Sequence, residues 1–94
     1  MFIGACELTL HLPLAQSLKD KRQAIKSLMA RLRNEFNIAV AEVDQQQAWQ
    51  VAVLGVACVS PSQKYAHEQL EAVVRFVQTH RPDLPLTHYD IEIL

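Results

Sequence analysis

A chain of 94 residues with a formal charge of −1, half apolar and one-fifth charged, has the make-up of one globular domain (1–94), large enough for a core but rich in surface. No apolar run reaches the roughly 18 residues of a membrane-spanning helix, and so even a charge balance points to no class of partner by itself. The only cysteines, Cys6 and Cys58, both sit in apolar alternation, which suits buried reduced thiols better than a disulfide framework or a zinc site.

Phe2 to Leu12 alternates, with Phe2, Gly4, Cys6, Leu8, Leu10 and Leu12 on one side and Ile3, Ala5, Glu7, Thr9 and His11 on the other; the even side is expected to face a core. The same stretch has no basic leader and carries Glu7, so it reads as a strand rather than a secretory signal, and a cytoplasmic location is expected. Pro13 ends it, for want of an amide donor. Ser17 followed by Asp20 is a helix start of the capping-box kind. Leu18, Ile25, Leu28, Met29, Leu32 and Phe36 then gather on one helical arc, with Asn37 as the stop.

Ile38 to Val43 reads as a second strand, Asp44 to Gln47 as a hairpin loop, and Trp49 to Val59 as a third strand. In Ser60-Pro61-Ser62-Gln63, Ser60 is the expected cap, Pro61 the first helical residue and Gln63 the third. Ala66, Leu70, Val73, Val74 and Val77 form the inner stripe of this second helix, while Glu71 and Arg75 are spaced for an i,i+4 ion pair. Thr87 to Leu94 alternates as a fourth strand. The order βαββαβ, with right-handed crossovers, predicts an α+β, ferredoxin-like two-layer sandwich whose antiparallel sheet has the order 4-1-3-2.

Two helices cover one face of such a sheet. With Ala52, Leu54, Val56 and Cys58 beneath them, the odd residues of the third strand turn to the second face. Ile3, Ala5, Ala39, Ala41, Trp49, Val51, Val53, Ala57 and Val59 are therefore the expected oligomer interface, most simply that of a homodimer.

Ser17-Leu-Lys-Asp-Lys-Arg22, Phe36-Asn-Ile-Ala-Val-Ala-Glu-Val-Asp44, Trp49-Gln50 and the terminal Ile91-Glu-Ile-Leu together resemble the YlxP-like family of small bacterial proteins, a domain of unknown function. The resemblance covers nearly the whole chain. It implies a ferredoxin-like fold and a cytoplasmic bacterial protein whose relatives are often encoded beside translation and ribosome-maturation genes, and it implies no established activity. The chain departs from the family pattern at Gln45, where histidine is frequent, and at Val51, where arginine is.

Charge is unevenly spread. Residues 18–36 hold six cations against two acids, so the first helix is the basic pole. Lys19, Arg22, Lys26 and Arg33 project within an arc of about 60°, and the cations at the helix start oppose a macrodipole that a bound anion would relieve. Lys19, Lys21, Arg22, Lys26 and Arg33 are the candidate phosphate or RNA-backbone site; ribosomal RNA or the ribosome is the partner expected besides a second copy, without DNA specificity.

The aromatics by which an RNA-recognition motif stacks bases are missing from the open face of the central strands, Trp49 apart. A regulatory domain of the ACT type, binding a small molecule between subunits, is the alternative, although Leu12 to Ser17 lacks the glycine expected there. His11, His67, His80 and His88 show no metal spacing. Neither Cys has an activating neighbour, and Glu42 and Asp44 read as a solvated rim. No cofactor, metal or catalytic set is predicted, and the protein is expected to act by binding rather than as an enzyme.

Overall fold

Alternation and helical periodicity resolve, in a computed structural model that describes all 94 residues, into β1 (Phe2–His11), α1 (Leu18–Glu35), β2 (Ala39–Asp44), β3 (Val51–Ser60), α2 (Gln63–His80) and β4 (Leu86–Ile93). All pairings are antiparallel and the sheet order is β2-β3-β1-β4. Seen from the other edge, that is the ferredoxin-like order 4-1-3-2. The long central strands pair throughout, Phe2 to His11 opposite Ser60 to Val51.

The even residues of β1 and β3 supply the sheet's share of the core. Leu8, Leu10 and Leu54 are fully buried against Leu28 and Leu32 of α1 and Leu70, Val73 and Val77 of α2. Helix α2 lies across β1, β3 and β4, whereas α1 packs chiefly on β2. The approach of α2 to β1 is close: a Cβ on Gly4 would meet Leu70 Cδ1 at 2.9 Å and Cys58 Sγ at 3.1 Å, inside ordinary contact, so glycine is what this crossing requires. Where the two helices meet, Phe36 and Phe76 pack edge-on, 5.6 Å between centroids.

Both helix starts use serine. Ser17 Oγ accepts from the Asp20 amide at 3.0 Å, and the Asp20 carboxylate accepts from the Gln16 amide, one residue ahead of the usual capping box. Helix α2 begins later than Ser60-Pro61 suggests. Ser60 stays in β3 because it pairs with Phe2, and Ser62 becomes the cap, its Oγ accepting from the Tyr65 amide at 3.3 Å. The expected Glu71–Arg75 pair does not form; Glu71 lies 3.8 Å from His67 Nε2 and 3.5 Å from the Tyr89 hydroxyl. Two bulges interrupt the ladders, with Val43 and Thr87 as the extra residues.

Candidate functional site

The first helix carries its cations in two directions. Lys19, Arg22 and Lys26 point to solvent, and none has a carboxylate within ion-pair distance, since the four ion pairs of the chain involve Lys21, Lys64, His67 and Arg81. Asp20, the nearest acid in sequence, turns its carboxylate to the Gln16 amide instead. Arg33 is exposed, yet its guanidinium donates to the Val40 carbonyl at 3.0 Å, and Arg31 lies over the Phe76 ring at 5.3 Å.

Lys21, expected among the phosphate-binding candidates, is instead withdrawn from the surface. It is 1% exposed. Its Nζ donates to the carbonyls of Gln45 at 2.6 Å and Ala48 at 2.7 Å and lies 2.8 Å from Glu42 Oε2; the last contact is ionic, its angles too poor for a hydrogen bond. Two hydrogen bonds and one ion pair thus compensate the buried charge. The signal was present in the spacing: Lys21 falls between Leu18 and Ile25 on the apolar arc of α1, and Glu42 shares the parity of the buried Val40.

This lysine ties the β2–β3 loop to the first turn of α1. Gln45, whose carbonyl it holds, is the one non-glycine residue with positive φ, 57°, a conformation helped by Asp44 Oδ1 accepting from the Gln45 amide at 2.7 Å. Gln50 completes the seam, accepting at its carbonyl from the Leu12 amide at 2.9 Å and donating from Nε2 to the Ala15 carbonyl at 3.2 Å.

On the face away from the helices, strand register sorts the side chains into rows. Leu94, Ile3 and Val59 make an apolar end row: Ile3 pairs with Val59 and exchanges two backbone hydrogen bonds with Leu94. The next row is Glu92, Ala5, Ala57 and Ala39, and the one after is Asp90, Glu7, Gly55 and Ala41. Four of the expected interface residues do not stand free, Ala5 and Ala57 being half-buried. Val53, in register with Thr9 and Asp44, is only 9% exposed, and Val51 is half-buried. Ala39 and Ala41 are exposed, as are the larger Ile3, Trp49 at 52% and Val59 at 62%.

Between these rows runs a shallow groove of about 440 Å³ floored by Ala5, Ala39, Ala41, Gly55 and Ala57. Val43 forms one bank; its Cγ1 would lie 2.7 Å from a Cβ on Gly55. Glu7, Asp90 and Glu92 form the other, Glu7 directly opposite Asp90. Glu7 could be assigned to this face from alternation alone, but the acids of β4 join it only through the β1–β4 register.

Other chemistry is sparse. Both cysteines are free and buried, and burial pushes the Cys6 thiol up from 9.0 to about 11, so it stays protonated and weakly nucleophilic at neutral pH. No three His, Cys, Asp or Glu residues gather where they would hold a metal ion, and no helix is long and apolar enough to cross a membrane.

Residues 3–91 match the family described as Protein of unknown function (DUF503). The chain belongs to that family. Within reach of this DUF503 chain, the uncharacterized protein YlxP of Bacillus subtilis (strain 168) is 35% identical over 65 residues, which make up 69% of this chain and 71% of that one. A de novo designed protein, Foldit4, shares the arrangement with a TM-score of 0.51 over 99% of this chain and 94% of the design, at 12% identity; that likeness concerns the DUF503 fold alone.

Proposed function

We propose that this DUF503 protein acts by binding the phosphate backbone of RNA through Lys19, Arg22 and Lys26. The observation that carries this reading is that the three cations are exposed along about 10 Å of one helix face, at 1.5 Å per residue, with no carboxylate of their own chain within ion-pair distance. Their position in the first half of α1 leaves the positive end of the helix unopposed apart from Asp20. The acids Glu7, Asp90 and Glu92 lie on the face away from the helices, which orients a polyanion toward α1 and away from the sheet. Backbone contact of this kind reads no bases. Ribosomal RNA is the target in view, from the resemblance to proteins encoded beside translation genes.

Fluorescence anisotropy with a labelled single-stranded ribosomal RNA fragment tests it. Three phosphate contacts give a slope of log affinity against log salt of about −2. The Lys19→Ala/Arg22→Ala/Lys26→Ala variant is expected to flatten that slope and to lose at least about tenfold in affinity. Unchanged binding by a variant with unchanged circular dichroism sinks the proposal.

The same reading includes a homodimer, joined at the apolar end row where Met1, Ile3, Val59 and Leu94 lie exposed. Contiguous apolar surface of that kind favours a subunit contact. Light scattering is expected to show a dimer at about 50 µM, a concentration suited to weak association, and Val59→Glu is expected to give a monomer. A wild-type monomer at that concentration removes it.

A further inference from the structure

We propose that the groove in the middle of the open sheet face is a docking site for a basic amphipathic helix of another protein. The inference stands apart from the RNA reading, which concerns the opposite side of the molecule.

Shape comes first. The floor of Ala5, Ala39, Ala41, Gly55 and Ala57 carries nothing larger than a methyl group, and Val43 and the acids rise on its two sides. A sheet face is commonly closed by a further layer of helices, and a floor this low is filled by a ridge of large side chains such as leucine at i, i+3, i+4 and i+7. A second copy laid over the groove presents only Val43 and no leucine-sized ridge. Laid centre to centre, the two faces bring floor against floor and leave unfilled space where native packing is dense.

Charge selects the same occupant. The open face carries Glu7, Asp90 and Glu92 and no lysine or arginine. Another copy of it would bring in carboxylates without a cation, and RNA would be repelled. A helix with lysine or arginine flanking its apolar ridge meets both features at once, its cations reaching the acidic bank while its leucines occupy the trough. The direct Glu7–Asp90 pairing is unfavourable by itself, as like charges opposite one another across a ladder are. A cation laid over that pair relieves the repulsion, which favours a basic partner.

The test uses the intact protein and two labelled peptides of about 18 residues, long enough to be helical, one of leucine and lysine in an amphipathic pattern and one with glutamate at each lysine. The lysine peptide is expected to bind and the glutamate peptide not to. Glu7→Gln/Asp90→Asn/Glu92→Gln and, separately, the trough-filling Ala57→Leu are each expected to weaken binding at least about tenfold, while Lys19→Ala/Arg22→Ala is expected to leave it unchanged. In amide NMR spectra of the wild type, the lysine peptide is expected to shift Ala5, Ala41, Ala57 and Asp90 and not Lys19 or Lys26; this reading holds even if one variant fails to fold. Equal binding of both peptides, or shifts that miss the groove, overturns the proposal. So does a wild-type dimer that Ala57→Leu converts to monomer, which would make a second copy the occupant, or an RNA affinity that the groove variants reduce.

Discussion

The two faces of one sheet show how differently a single alternating pattern is used. On the helix side, Leu8, Leu10, Leu54 and Val56 disappear beneath α1 and α2, and the fully buried charge there, Lys21, arrives with three partners. On the other side the same strands present alanines, a glycine, three carboxylates and an apolar end row. The covered face is optimised for the chain's own stability. The open face retains a like-charge pair and a trough, neither of which adds to the stability of an isolated domain.

The contrast is sharpest at the core. Leu54→Ala is expected to cost about 3–4 kcal/mol in urea unfolding, as a cavity under both helices would, whereas Val59→Ala on the open face is expected to stay within about 0.5 kcal/mol of wild type. Equal losses at the two positions would mean that the faces are not energetically distinct. Next comes the lysine clamp. Lys21→Ala leaves Glu42 without its cation and two carbonyls without a donor, for a loss of about 2–3 kcal/mol, moderated because Glu42 still touches solvent. The double replacement Lys21→Met/Glu42→Leu is expected to regain most of it.

A smaller effect tests the trough itself. Gly55→Ala drives a methyl into Val43 Cγ1 and is expected to cost about 1–2 kcal/mol, with relief on adding Val43→Ala; a neutral Gly55→Ala would show that the bulge yields freely. Smallest of all and opposite in sign, Glu7→Gln is expected to raise stability by about 0.2–1 kcal/mol by removing the repulsion with Asp90. A destabilised Glu7→Gln would refute the view that this pair is held against the interest of the fold.

Much of the architecture was legible along the chain because it rests on local periods. The parity of β1 and β3 and the stripe from Ala66 to Val77 follow from alternation and helical spacing, and every residue of that stripe is buried. Element ends were less legible. Ser60 and Ser62 are equivalent as caps in isolation, and only the pairing of Ser60 with Phe2 decides between them. The site was legible in part. The outward cations Lys19, Arg22 and Lys26 follow from helical geometry, while Lys21, so close to them in sequence, is withdrawn because its position on the apolar arc outweighs its charge once Glu42 and two loop carbonyls are within reach.

What the sequence by itself determined is which residues each strand and helix turns to either side, since a two-residue and a 3.6-residue repeat are properties of the backbone alone. Only tertiary structure decided which side chains from distant strands share a surface. Glu7 and Asp90 are 83 positions apart and face each other because β1 and β4 pair in one register, and a one-residue slip would have sent the acids of β4 to the other side. The acidic bank is a property of that register, as the groove floor is of the β1–β3 and β2–β3 registers.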